Sequence, residues 1–329
     1  MTAADSRPQA VMDIDMRARL GATTIPSPVL TASGCAAAGR ELDPFLDLTA
    51  LGAVVTKSVQ LRARSGRPTP RMAETPSGML NSIGLQGPGI DAFLAKDLPW
   101  LAARGARAMV SIAGGAVEEY AELASRLRGA AGLVAVEVNI SCPNVESRGE
   151  VFACDPAAAS AVLAAVRAAD PGVPVYAKLS PDVTDIVSVA RACVDSGADG
   201  ISAINTLLGL VIDTDTLRPV LAAETGGLSG PAIRPVALRC VWQIHRALPN
   251  TPILGMGGIT NGADALQFIL AGASAVSVGT AVFGDPNAPE RIGRELAGAL
   301  AGKGFSRCSD AIGYAHRAPG RTGVHRVNA

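Results

Sequence analysis

The sequence predicts an α/β domain folded as a single (β/α)8 TIM barrel with long insertions in its βα loops. Three observations support this fold: eight short apolar runs, helical spacing between most of them, and a length of 329 residues with no break in composition. One barrel of this kind commonly holds about 250 residues. The runner-up is a doubly wound open sheet, but no G-x-G-x-x-G follows an early strand, so the dinucleotide-binding fingerprint of that fold is missing.

The eight apolar runs have the composition of buried parallel strands, which are continuous in Val, Ile and Ala rather than alternating. We predict strands at PVLTAS (28–33), AVVTKS (53–58), AMVSIA (108–113), VAVEVNI (134–140), PVYAKLS (174–180), GISAIN (200–205), PILGMGG (252–258) and AVSVGT (275–280).

The segments between these runs predict helices. EEYAELASRLRGA, AAASAVLAAVRAAD and ADALQFILAGA have amphipathic spacing, and VSVARACVDSGADG ends in the glycine that helix C-termini prefer. Two connections, 59–92 and 206–235, are long, as functional loops often are. We expect a disordered N-terminus at 1–12, the barrel at 13–316 and a flexible tail at 317–329.

The composition argues against several classes of function. Lys and Arg together number 29, as do Asp and Glu, so there is no global positive field of the kind that nucleic-acid binding favours. The six cysteines include no C-x-x-C pair and there are only three histidines, so no metal site is predicted. The start of the chain lacks a secretory signal, and the apolar stretch 265–284 is interrupted by polar residues and glycines. We therefore predict a cytoplasmic protein with reduced thiols and no membrane span.

Each predicted strand ends in a polar residue or a glycine pair, and barrel enzymes place their active sites at these ends. One such residue alone has an ordinary explanation, because lysines are usually solvated, asparagines cap turns and glycines form them. Eight on one rim favour a binding site instead. In chain order they are Ser33, Lys57 with Ser58, Ser111, Asn139 followed by Cys142, Lys178, Asn205 with Thr206, Gly257 with Gly258, and Gly279 with Thr280.

The glycines follow the seventh and eighth strands, where this fold usually binds phosphate, and their backbone N–H groups can approach an anion closely. The two lysines suit an anionic or electron-accepting group. The asparagines suit a flat ligand with both N–H and C=O edges, because an amide both donates and accepts. Flavin mononucleotide (FMN) and a small amide-containing acid would fit this arrangement.

Six segments carry a resemblance to a known family. NSIGLQGPG (81–89), EVNISCPNV (137–145), KLSPDVTDI (178–186), INTLLG (204–209), GGLSGPAIRPVAL (226–238) and GMGGI (255–259) resemble the class 1 dihydroorotate dehydrogenases. They are most similar to the class 1B branch, the catalytic subunit of the NAD-linked enzyme. The resemblance runs in order from about Ser33 to Thr280.

The resemblance implies one FMN per chain and oxidation of (S)-dihydroorotate to orotate in pyrimidine biosynthesis. Cys142 would be the general base at C5, with a hydride passing from C6 to flavin N5. The implied substrate-binding residues are Lys57, Asn81, Ser82, Ile83, Gly84, Leu85, Asn139, Asn205 and Thr206. Those implied for FMN are Ser33, Lys57, Ser58, Asn139, Lys178, Ile204, Gly230, Gly257, Gly258, Gly279 and Thr280, with Ser111 where the family usually has a flavin-contacting asparagine.

The electron acceptor stays open at this point. The class 1B branch implies a partner subunit that carries FAD and a [2Fe–2S] cluster and reduces NAD, around a homodimer core and possibly in a heterotetramer. A fumarate-dependent class 1A enzyme, a dihydropyrimidine (dihydrouracil) dehydrogenase-like flavoenzyme and a noncatalytic flavin- or phosphate-binding barrel are the alternatives.

Overall fold

All eight apolar runs form strands in a computed structural model, which describes residues 14–141 and 155–317. Neighbouring strands of the barrel pair in parallel. Around the barrel, Val29–Thr31 lies next to Ala275–Val278. The strands that follow in order are Ile253–Met256, Gly200–Ala203, Val175–Leu179, Leu133–Asn139, Ala108–Ile112 and Val54–Val55. The (β/α)8 prediction is confirmed. The predictions for residues 1–12, for Cys142 and Cys154, and for the tail beyond Arg317 lie outside the described residues.

All described strands are numbered here in chain order. They are β1 (Ala18–Leu20), β2 (Thr23–Ile25), β3 (Val29–Thr31), β4 (Val54–Val55), β5 (Met72–Thr75), β6 (Gly78–Asn81), β7 (Ala108–Ile112), β8 (Leu133–Asn139), β9 (Val175–Leu179), β10 (Gly200–Ala203), β11 (Leu207–Leu210), β12 (Ile212–Asp213), β13 (Arg218–Pro219), β14 (Thr225–Ser229), β15 (Ile253–Met256) and β16 (Ala275–Val278).

Helices follow most barrel strands, and the four quoted helical segments are confirmed. The α-helices are α1 (Ile90–Ala92), α2 (Leu98–Ala103), α3 (Val117–Leu127), α4 (Pro156–Ala169), α5 (Ile186–Asp195), α6 (Arg234–Ala247), α7 (Gly262–Leu270), α8 (Ala288–Ala301) and α9 (Cys308–Ala311). A π-helical turn, Phe93–Asp97, joins α1 to α2, and short 3-10 helices lie at Pro231–Ile233, Thr280–Phe283 and Tyr314–His316.

Side chains fix where three of these helices begin. Asp155 accepts a hydrogen bond from a backbone N–H in the first turn of α4, Asp185 does so for α5, and Asn261 does so for α7. Such caps satisfy N–H groups that have no partner inside the helix. The sharp helix starts leave the preceding loops free to carry polar residues at the barrel rim.

The barrel closes between its first two strands through Thr31. The Thr31 N–H donates to the Ala53 carbonyl, and the Thr31 hydroxyl accepts from the Val55 N–H at 2.9 Å. At the opposite end, the β1–β2 hairpin covers the barrel floor. The Gly21 N–H in its turn donates to the Tyr176 hydroxyl at 3.1 Å. The site must therefore lie at the carboxyl ends of the strands.

The two long connections form one sheet, a feature that the strand prediction missed. Segment 59–92 supplies β5 and β6, segment 206–235 supplies β11 and β14, and the order is β11, β14, β6, β5. The central pairing is antiparallel, with Asn81 opposite Gly227. We call β5, β6, β11 and β14 the roof sheet. It stands over the carboxyl ends of the barrel strands and lines the cavity there.

The apolar stretch 265–284 forms the end of α7, a turn and β16, as the predicted helix and strand require, and it ends in a 3-10 helix that was not predicted. Across residues 14–141 and 155–317, the structure contains no helix with the length and hydropathy needed to cross a membrane.

Candidate active site

A cavity of about 1230 Å³ opens between the barrel rim and the roof sheet. It brings together the predicted site residues from both ends of the chain. Those that line it are Ser33, Lys57, Ser58, Asn81, Ser82, Ile83, Gly84, Leu85, Asn139, Lys178, Ile204, Asn205, Thr206, Gly230, Gly257, Gly258, Gly279 and Thr280. Ser111 does not line it, and Cys142 lies outside the described residues.

One end of the cavity is built from glycines. Gly257 and Gly258 follow β15 with φ angles of +129° and +75°, a region that residues with a Cβ rarely adopt. The loop is anchored from outside, since Arg234 donates to the Gly258 carbonyl and pairs with Asp264 at 2.6 Å. Backbone N–H groups at such a loop can contact an anion directly.

A second part of the cavity wall is basic. Lys178 points inward from β9, is only 4% exposed and lines the cavity together with Lys57. Cys35 lies close to both lysines. Desolvation raises the pKa of its thiol to about 11, although the charges of Lys178 and Lys57 act to lower it. Cys35 therefore stays a neutral thiol near pH 7, which makes it a poor base.

A chain of hydrogen bonds joins the first strand ends. The Ser58 hydroxyl lies 2.9 Å from the Ser111 hydroxyl and 3.3 Å from that of Ser33, and it accepts from Asn139 Nδ2 at 3.0 Å. Ser111 is fully buried behind Ser58. Ser111 can therefore influence the cavity by fixing Ser58, which does line it.

The same chain continues to the later strands. Ser141 donates to Asn139 Oδ1 at 2.9 Å, and Asn205 Nδ2 donates to the Ser141 hydroxyl. Asn205 Oδ1 in turn accepts from the Thr206 N–H at 2.8 Å. The two asparagine amides thus have fixed orientations, because each has its donor and acceptor ends engaged.

The roof sheet supplies the remaining polar groups. Asn81 Nδ2 donates to the Gly227 carbonyl at 3.3 Å, which positions the Asn81 amide at the cavity wall. A Cβ at Gly227 would lie 2.0 Å from Thr206 Oγ1, so only glycine lets Thr206 sit there. Ser82 is buried, and its hydroxyl has no hydrogen-bond partner among the described residues. A buried polar atom at a cavity wall is a natural contact for a polar ligand.

Several cavity residues were not predicted. Arg64 and Arg67 reach the cavity from segment 59–92, and Asp182 follows β9 and accepts from the Leu208 N–H in β11. Asp182 stood within a quoted motif, whereas the two arginines carried no signal beyond their lying in a long connection. The residues together form a pocket whose wall combines glycine loops that can bind an anion, basic side chains and amides of fixed orientation.

Comparison with known proteins agrees with this geometry. The family model for dihydroorotate dehydrogenase matches residues 17–300. A protein of Geobacter sp. (strain M21) is 51% identical over 91% of this chain and 97% of its own length. One from Pelobacter propionicus is 52% identical over 92% and 99%, and one from Desulforudis audaxviator is 48% identical over 94% and 100%. Each is described as the catalytic subunit of dihydroorotate dehydrogenase B (NAD(+)).

Proposed function

Because the chain belongs to the dihydroorotate dehydrogenase family, we propose that it oxidises (S)-dihydroorotate to orotate with FMN in the cavity under the roof sheet. The observation that carries this proposal is one cavity whose wall combines glycine loops, two lysines and amides of fixed orientation. The reaction is the redox step of pyrimidine synthesis. Bound FMN supplies the acceptor for the hydride that leaves C6 of the substrate.

The residues present fit FMN. The glycines after β15 and β16 leave room for a phosphate group against backbone N–H groups, and the Thr280 hydroxyl lies 2.8 Å from that of Ser229 beside them. Lys178 is buried at the cavity wall, where its side chain would stabilise negative charge on an electron-accepting ring.

The substrate is a cyclic amide that carries a carboxylate, and the remaining cavity groups match both features. Asn81, Asn139 and Asn205 offer amides whose orientation is set by hydrogen bonds to Gly227, Ser58 and Ser141. Lys57 offers a positive charge and Ser82 a hydroxyl that has no partner among the described residues. These groups would orient the ring so that its C5 proton faces the base.

We assign the base to Cys142. Its support is the EVNISCPN motif, in which the preceding residue, Ser141, is buried and bonded to both Asn139 and Asn205. The base removes the proton at C5 while the C6 hydride leaves, so the proton and the electron pair depart from adjacent carbons. A neutral Cys35 thiol offers no comparable basicity.

We also propose that the chain works in an assembly: a homodimer core that passes electrons to a partner subunit with FAD and a [2Fe–2S] cluster, and so to NAD. The relatives' description as catalytic subunits of an NAD(+) enzyme supports a partner. Exposed apolar side chains on and beside the roof sheet support an assembly surface. They are Leu210, Ile212 and Leu217. The free thiols of the described cysteines suit a cytoplasmic location.

The proposal is tested without any acceptor. The chain is loaded with FMN, oxygen is removed, (S)-dihydroorotate is added, and the loss of flavin absorbance is followed. We expect rapid bleaching, slowed by on the order of a hundredfold or more in Cys142→Ser, because a positioned general base contributes about that much. Cys154→Ser is the matched control and should bleach like the wild type.

Two outcomes would contradict the proposal. Bleaching by dihydrouracil but not by dihydroorotate would mean that the substrate is dihydrouracil. Failure to take up FMN would refute the assignment as a flavoenzyme. The acceptor is tested separately. Turnover with fumarate by the chain alone, with no gain from an iron–sulfur flavoprotein, would refute the NAD-linked partner.

A further inference from the structure

Glu137 is a fully buried acid inside the barrel that does not line the cavity. Successive residues of β8 face opposite sides: Val136 and Val138 pack outward against the helices, whereas Ala135 belongs to the interior core. Glu137 therefore points inward. Its side chain is 0% exposed, and neither carboxylate oxygen has a hydrogen-bond partner among the described residues.

Glu137 forms an ion pair with Lys178. Lys178 Nζ lies 3.5 Å from Glu137 Oε1, and the two side chains are 5% and 0% exposed. Glu137 and Lys178 come from neighbouring strands, β8 and β9, whose register places Asn139 opposite Lys178. The lysine faces the cavity, while the carboxylate stands behind it in the barrel interior.

Burial makes this pair interdependent. A charged group removed from water is strongly disfavoured unless an opposite charge or hydrogen bonds compensate it. A buried lysine without a counter-charge tends to lose its proton at or below neutral pH. The Glu137 carboxylate has no hydrogen bonds in the described chain, so the ammonium of Lys178 is its compensation, and the converse holds for the lysine.

We propose that Glu137 is a positioning residue that keeps Lys178 charged and directed at the flavin ring. This inference rests on the proposed function, because it requires FMN in the cavity. Glu137 itself touches neither cofactor nor substrate. It acts through the lysine, whose positive charge raises the affinity of the flavin for electrons and for added anions. An acid within an otherwise apolar strand of the EVNISCPN motif is its signal in the sequence.

The test uses sulfite, an anion that adds to oxidised flavin and bleaches it without any substrate. Sulfite dissociation constants and FMN midpoint potentials are measured for wild type, Glu137→Gln, Lys178→Met and the double variant. At about pH 8, we expect Glu137→Gln to bind sulfite at least about tenfold more weakly, because Lys178 then lacks the counter-charge that holds it toward the ring. Its midpoint potential should fall, and Glu118→Gln, an exposed acid on α3, should match the wild type.

The double variant separates an effect through Lys178 from a general structural effect. We expect Glu137→Gln to change the sulfite affinity of the Lys178→Met protein by less than about twofold, because the group through which it acts is gone. The double variant leaves no unpaired buried charge. It can therefore still be compared with Lys178→Met if Glu137→Gln alone does not fold. Glu137→Asp, which keeps the charge, should lie nearer to wild type than Glu137→Gln does.

Unchanged or tighter sulfite binding by Glu137→Gln would overturn the inference. So would an equal loss in the wild-type and Lys178→Met backgrounds. If dihydroorotate bleaches the flavin of the wild type in either case, the proposed function stands and only the proposed role of Glu137 is refuted. A wild type that takes up no FMN would remove both.

Discussion

Ser58 is the hydroxyl on which the polar chain at the barrel rim depends, so Ser58→Ala should destabilise the protein without creating a large cavity. The change removes contacts at 2.9 Å to Ser111 and 3.0 Å to Asn139, and a weaker one at 3.3 Å to Ser33. Ser111 is fully buried behind Ser58, so it loses a partner that water does not readily replace, whereas Asn139 lines the cavity and can bond water there.

The size of the effect follows from these contacts. A buried polar group left without its hydrogen bond costs about 1–3 kcal/mol, and Ser111 is such a group, so we expect a loss of about 1–3 kcal/mol in the free energy of unfolding. Ser33→Ala is the matched control. It removes one long contact from a half-buried residue and should cost less than about 1 kcal/mol.

The assay is urea unfolding of the FMN-free protein, with stability taken from the midpoint and slope. Working without FMN keeps any loss of cofactor affinity out of the measurement. A loss below about 1 kcal/mol for Ser58→Ala would refute the reasoning. An equal loss in an Asn139→Ala background would refute it too, because residues in one hydrogen-bond chain should couple.

Three further predictions concern the core, the cavity and pH. Phe268→Ala, at a fully buried position on α7, should lower the free energy of unfolding by about 3–5 kcal/mol in the same assay. Gly230→Ala should weaken FMN binding at least about tenfold in apoprotein titrations. Its φ is +91° and the new Cβ would lie 2.7 Å from the Gly78 Cα, so the backbone must shift. Burial, and to a lesser extent His316, lowers the pKa of His245, so the unfolded chain binds a proton where the folded chain does not. Stability should fall as pH drops through the ordinary histidine range near about 6.5, and His245→Gln should reduce that slope.

Each of these has a clear contrary result. Phe268→Leu is the control for the core, and a Phe268→Ala loss no larger than that of Phe268→Leu would contradict close packing there. Gly129→Ala is the control for the glycine, because Gly129 also has a positive φ, +72°, but a Cβ there would meet nothing within 4 Å. If Gly129→Ala bound FMN as weakly as Gly230→Ala, backbone strain in general and not the contact with Gly78 would be the cause. A pH slope unaltered by His245→Gln would mean that another group titrates.

The barrel could be predicted because its strands are continuous apolar runs that need no partner to be identified. All eight runs form strands, and their ends place the lysines, asparagines and glycines at one rim. The strands are shorter than the runs: β4 covers only Val54–Val55.

The roof sheet could not be predicted in the same way. Its strands are short and rich in glycine, and the pairing of Asn81 with Gly227 joins residues 146 positions apart. Sequence periodicity is local and carries no information on such pairings. Arg64 and Arg67 were missed for that reason, since only the fold of segment 59–92 brings them to the cavity. Ser111 was predicted at the cofactor but lies behind Ser58.

The roof sheet also bears on how this enzyme can diverge. Because β6 and β14 pair with each other, the two insertions do not vary independently, although four of the eight barrel strands separate them in the chain. A one-residue slip in either strand would turn its side chains to the opposite face and carry Asn81 away from the cavity. Compatible changes must therefore arise in both segments together. A transplant of substrate preference between barrels of this type has to move 59–92 and 206–235 as one unit.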